Sequence, residues 1–187
     1  LRLHNGPIWR WVRPLVGADE DGTPHLRLEH RVLPAGPTPA DAVANAALFY
    51  GLVRVLAEDP RPPEADLEHA TVRENFYRAA KHGLGATITW RDGRQWPLAE
   101  LLGEHLLPAA REGLRDWGCT AGEVDHYTGI LAERIRTRRT GAAWQIGFAD
   151  AHDRDFPGLV AAYRAGQDAD RPVHTWPDAG WSKEEAH

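Results

Sequence analysis

The 187-residue chain contains no Met and a single Cys, Cys119. One thiol cannot close an internal disulfide or build a Cys-based zinc site, so the default address is reducing and cytoplasmic. Positive charge is in deficit, with 22 Lys and Arg against 27 Asp and Glu and a net charge of −5. General binders of nucleic acid or of anionic membranes need the opposite bias, which argues against both partners. No apolar run reads as a membrane span, and no signal-peptide pattern opens the chain. Met is missing even at the first position, Leu1. That predicts a piece of a longer polypeptide or a processed one, because residues 8–16 already read as strand with little leader before them.

What is present suits one ordinary domain. Hydrophobic residues make up 42% and charged residues 26%, enough for a core and too apolar for disorder. Residues 8–16 alternate apolar and basic side chains, the period of a strand, with Pro14 marking an edge or an end. An acidic, Gly-containing turn over 17–24 leads to a second strand over 25–33, so the two predict an antiparallel hairpin. Thr38 then caps a helix with Pro39 at its first position. Val43, Ala46, Phe49, Leu52, Val53 and Leu56 should face that sheet. Thr71-Val-Arg-Glu74 reads as a capping box for a helix ending at Gly83. A short hairpin with a type I′ turn at Asp92-Gly93 follows. Helices are expected from Pro97 towards Trp117, from Thr120 towards Arg136, over 140–151 and over 156–164, with a loose tail after Gly166. Strands first and helices later predict an α+β fold, a small antiparallel sheet with helices packed on one face. The folded part is expected to span 1–177, with 178–187 a loose polar tail.

The second strand carries the chemistry. Alternation puts His25, Arg27, Glu29 and Arg31 on one face and Leu26, Leu28, His30 and Val32 on the other. A carboxylate between guanidiniums could hold Mg²⁺ while the arginines grip phosphate oxygens. It could equally be a self-neutralising ladder on a wet strand. A zinc-protease reading of His25 and His30 fails, because a strand sends them to opposite faces. Arg134, Arg136, Arg138 and Arg139 precede the 140–145 stretch. They suit either an anion site at a helix start or a solvated helix end. Cys119 has no activating base nearby and reads as inert. Trp9, Trp11 and Trp117 read as packing side chains.

Several stretches together resemble the glutamate–cysteine ligase family 2 group, which includes bacterial carboxylate–amine ligases. Pro24-His-Leu-Arg-Leu-Glu29-His-Arg31 is similar to the family's Glu-x-Arg strand. Glu74-Asn75-Phe-Tyr-Arg78-Ala-Ala-Lys81-His-Gly83-Leu84 resembles its Glu-Asn-Arg helix, with Phe76 and Lys81 standing where the family has Arg. His4-Asn5-Gly6 with Ile8-Trp9-Arg10-Trp11, and Gly141-Ala-Ala-Trp144-Gln145, resemble segments of a related subgroup. The resemblance implies a glutamine-synthetase-like fold, an antiparallel trough backed by helices. It implies an ATP- and Mg²⁺-dependent ligase that joins a carboxylate, classically glutamate, to an amine through an acyl phosphate. By resemblance, Glu29 is a metal ligand, Arg31 a catalytic phosphate contact, and Arg78 and Lys81 are nucleotide contacts. Asn5, Trp9 and Arg27 fall on the substrate side. The family's paired glutamates would lie upstream of Leu1, so a missing amino-terminal half or a partner chain is expected to complete the metal cluster. A homo-oligomer fits as well. The other reading is a non-catalytic, ligase-like binding or partner module.

Overall fold

A computed structural model describes residues 12–33 and 36–177 and divides the chain into two compact units, Leu1–Ala35 and Gly36–His187. The first unit is a hairpin of β1 (Val12–Ala18) and β2 (Pro24–His30). It is antiparallel, in a register running from Val12 opposite His30 to Ala18 opposite Pro24. The turn closes through hydrogen bonds from the Asp19 N–H to the Thr23 carbonyl and from the Gly22 N–H to the Asp19 carbonyl, both 2.9 Å. Gly22 sits at φ 86°, where a side chain would strain. The expected hairpin is therefore present, with its first strand over 12–18; residues 8–11 lie outside the described residues. Pro14 falls inside β1, in a sheet that has two strands among the described residues, so that β1 is an edge strand there, where proline is tolerated. The apolar face is turned outward, with Val16 78% and Leu26 79% exposed.

The second unit is mainly helical. Helix α1 (Pro39–Ala57) starts as expected, Thr38 accepting a hydrogen bond from the Asp41 N–H at 3.2 Å. Its buried face is not the predicted one. Ala44, Ala47 and Gly51 are buried, whereas Val43 and Val53 are exposed. The helix is apolar nearly all round, so periodicity does not select a face. The small residues win because they allow α1 to approach α3 (Leu107–Asp116) and α4 (Ala121–Thr137) closely. At 19 residues and a mean hydropathy of 1.4, α1 is also long and apolar enough, by length and composition alone, to cross a membrane. The sequence reading had found no such run. Core helices of soluble proteins pass the same test.

Helix α2 (His69–His82) begins two residues before the expected capping box and has no side-chain cap; it ends, as expected, at Gly83 with φ 53°. A second hairpin pairs β3 (Thr87–Thr89) with β4 (Gln95–Pro97). In its turn only Gly93 has positive φ, and the Gly93 N–H bonds to the Trp90 carbonyl. A type I′ turn needs two positive φ values, so this is the three-residue loop with a glycine bulge. Ala86, Ile88 and Leu101 form the small core beneath it. The chain then turns through Leu98–Glu100 and a π-helical stretch, Leu101–Leu106, into α3. Thr120 and Glu123 make the predicted capping box of α4. Thr140 and Asp155 cap α5 (Gly141–Ala151) and α6 (Phe156–Asp168). The region after Gly166 is not loose. It finishes α6, adds a 3₁₀ turn at Val173–Thr175, and buries Val173 and Trp176. The α+β class stands, but among the described residues the strands form two two-stranded sheets, and the helices of the second unit pack largely on one another.

Candidate functional site

The predicted charged face exists on the first hairpin. Arg13 lies directly opposite Glu29, and Leu15 opposite Arg27, so strand alternation places Arg13, Arg27 and Glu29 on one side. Arg31 follows the end of β2, and its guanidinium reaches the Glu29 carboxylate at 2.7 Å. Arg13 pairs with the other oxygen of the same carboxylate. Hydrogen bonds from Arg31, then from Arg13, hold the Glu29 carboxyl below its ordinary value. His25 joins this face, bonded through Nδ1 to Asp19 at 2.9 Å. His30 is on the opposite side, where burial pushes its pKa down.

Two guanidiniums on one carboxylate, with Arg27 on the same strand face, make a positively charged surface. Its chemistry favours an anion, because guanidinium forks match phosphate or carboxylate oxygens. A divalent cation does not fit this arrangement, since both oxygens of Glu29 already face arginines. Among the described residues no group of three His, Cys, Asp or Glu side chains could hold a metal ion. Arg13 was not among the sequence candidates. Its signal was the alternation of the first strand, legible only once the register set it against Glu29.

The other candidates lie in the second unit or outside the described residues. Arg78 bonds to Glu74 one turn earlier, at 2.9 Å, and to the Thr87 carbonyl at 3.5 Å. Lys81 is exposed one turn later on the same helix. Asn75, from the same helix motif, makes the firmer contact. Its amide donates to the Thr89 carbonyl at 2.7 Å and accepts from the Thr89 N–H at 2.9 Å. A side-chain amide thus continues the ladder of β3, and Glu74, Asn75 and Arg78 together fasten α2 to that strand. Asn5 and Trp9 lie outside the described residues.

The basic run after α4 does not form one anion site. Arg136 pairs with Glu133 at 2.6 Å, Arg139 donates to the Trp176 carbonyl at 2.7 Å, and Arg134 is buried. Arg134 instead belongs to a polar cluster that the sequence reading missed. Asp41, fully buried, accepts from the Thr38 hydroxyl at 2.9 Å and the Val173 N–H at 3.0 Å, with Arg134 Nε 3.6 Å away. Arg134 also donates to Asn45 at 2.9 Å. This cluster joins α1, α4 and the carboxyl-terminal turn. Cys119 is half-buried beside the core of Leu114 and Val124.

An α+β protein with a guanidinium-rich strand face and an Asn-clamped helix is what the geometry defines. The chain belongs to the glutamate–cysteine ligase family 2, whose model matches residues 3–155. That stretch includes the hairpin face and the α2 motif. Membership makes the class that of a ligase, a class that usually needs ATP and Mg²⁺. No curated protein and no solved structure matches the chain.

Proposed function

We propose that this chain is part of an ATP-dependent carboxylate–amine ligase that takes glutamate as the acid and forms an amide through an acyl phosphate. The family match over residues 3–155 is the observation that carries the reading. In such a reaction a carboxylate oxygen attacks the γ-phosphorus and ADP leaves. The amine nitrogen then attacks the acyl carbon, phosphate departs, and the nitrogen gives up a proton. Each step spreads negative charge over phosphoryl oxygens, which preorganised guanidiniums stabilise. Arg31 and Arg13, held by Glu29, and the neighbouring Arg27 supply that kind of surface. In this proposal Arg31 contacts the transferred phosphoryl group and Arg27 meets the acid substrate. Asn5 and Trp9 line the substrate side, and Arg78 and Lys81 use their remaining donors on the nucleotide.

The metal is assigned differently from the arginines. Glu29 as arranged does not fit Mg²⁺, so the acidic ligands are proposed to come from another segment of the polypeptide or from a partner chain, in a cytoplasmic assembly. The test measures ADP release and amide formation from glutamate, cysteine and Mg-ATP. It uses this chain alone and the polypeptide that includes whatever precedes Leu1. Stoichiometric ADP and amide from the longer polypeptide support the ligase. Nucleotide binding without turnover in both would favour the second reading, a ligase-like binding module, which the absence of a three-ligand group among the described residues keeps in view.

A further inference from the structure

The second unit contains a cavity of about 300 Å³ between α5, α6 and the carboxyl-terminal turn, and the proposed ligase chemistry does not use it. Its floor is aromatic and buried: Trp144, Phe148 and Trp176. The rings are fixed rather than loosely packed. The Trp144 indole N–H donates to the Pro177 carbonyl at 3.2 Å, and that of Trp176 to the Arg171 carbonyl at 2.6 Å. Trp144 and Trp176 meet edge to face at 5.2 Å, and His152 stacks on Phe148 at 4.1 Å. Gly166 completes the wall. A Cβ there would come within 2.6 Å of the Trp176 ring, so only glycine lets the indole lie flat against α6.

The rim is polar and exposed. Arg171 lines the cavity and is exposed, and its side chain makes no hydrogen bond or ion pair among the described residues. His152 bonds through Nδ1 to the Phe148 carbonyl at 3.0 Å. A carbonyl only accepts, so Nδ1 carries the proton and Nε2 is left as the second polar atom of the ring. A rigid aromatic floor beside an exposed guanidinium is the composition of a small-molecule site, mostly apolar with a few orienting polar groups. We propose that this cavity binds a flat aromatic carboxylate, its ring against Trp144 and Trp176 and its carboxylate on Arg171.

The test uses indole-3-acetate and its neutral primary amide as probes of the full chain, followed by the indole N–H signals of Trp144 and Trp176 in NMR. The acid is expected to shift both signals and to bind more tightly than the amide. Arg171→Gln, an exposed substitution whose fold is checked by an unchanged melting curve, should weaken the acid by about tenfold or more, the worth of one charge-assisted hydrogen bond. It should leave the amide as it was. The proposal is overturned if the acid leaves both indole signals in place, if acid and amide bind equally well, or if Arg171→Gln binds the acid as the wild type does. None of these readings depends on ligase activity.

Discussion

Arg134 and Asp41 face one another 3.6 Å apart in the interior of the helical unit, the carboxylate fully buried and the arginine nearly so. Burial pushes the Arg134 guanidinium pKa down while the Asp41 charge pulls it up. Removing one member of such a pair strands the other without compensation, at a cost of about 3–5 kcal/mol. Asp41→Ala should therefore destabilise by that order, the more so because the Thr38 hydroxyl and Val173 N–H lose their acceptor. Replacing both partners with apolar residues, Asp41→Leu with Arg134→Met, should recover part of the loss. Urea midpoints of the three variants check this; a double variant less stable than the single one would show that the charges themselves are needed.

A second constraint on the same unit is backbone contact. A Cβ on Gly51 would collide with the Ala110 carbonyl, and one on Gly113 with the Gly51 carbonyl. Backbone oxygens cannot rotate away, so α1 and α3 must separate. Gly51→Ala and Gly113→Ala are each expected to destabilise by roughly 1–3 kcal/mol, despite alanine's advantage in a helix of about 1 kcal/mol. Because both act on one crossing, the double variant should cost less than the two single losses together. Equal or greater stability of either single variant, read by denaturant midpoint, would mean that the crossing is looser than drawn.

The same glycines explain why the fold was only partly legible. Capping residues announced themselves locally, and Thr38, Thr120 and Thr140 each start a helix where expected. The buried side of α1 depends on partners distant in sequence, Ala110 and Gly113, and no local period encodes them. Polar residues surround Trp176, so no local signal sets it apart from a loose stretch after Gly166. Its burial against Gly166 is a tertiary fact. At the site, alternation was enough to put Arg27 and Glu29 on one face. Arg13 and Asn75 became visible only through strand register and through a helix-to-strand hydrogen bond.

His174 gives the helical unit a pH dependence. Its Nδ1 is buried without a hydrogen-bond partner among the described residues. Burial, the largest influence, lowers its pKa, with Arg134 and Arg139 acting in the same direction and Asp41 and Glu133 opposing. With a folded pKa below the unfolded one, the unfolded chain takes up a proton that the folded chain refuses. Stability is thus fully present above the ordinary histidine value of about 6.5 and falls as the pH drops through it towards the folded value. The urea midpoint should decline between about pH 7.5 and about pH 5.5, and His174→Gln should flatten part of that decline. His30 is shifted the same way, by burial in the hairpin, and gives that unit a pH dependence of the same sign. An identical pH profile in the variant would assign the slope to other groups.

Glu29 separates two accounts of the charged face by the sign of one effect. If it organises Arg13 and Arg31 for an anion, Glu29→Gln removes a negative charge from the surface and keeps an oxygen that accepts from one arginine. ATP without Mg²⁺ should then bind at least as tightly as to the wild type, and more steeply so at low salt. If Glu29 instead ligates Mg²⁺, the variant should leave metal-free binding alone and lose the Mg²⁺-dependent part. The pairing of its carboxylate with two guanidiniums leads us to expect the first outcome. Arg31→Lys provides the complementary test, because lysine keeps the charge and loses the fork that meets two oxygens at once. It should weaken metal-free ATP binding several-fold, and Arg78→Lys, which loses the fork that also bonds Glu74 and Thr87, should weaken it as well. Titration calorimetry with and without Mg²⁺, on the wild type and these variants, reads all of these effects. Loss of only the Mg²⁺-dependent binding in Glu29→Gln would return the residue to the metal.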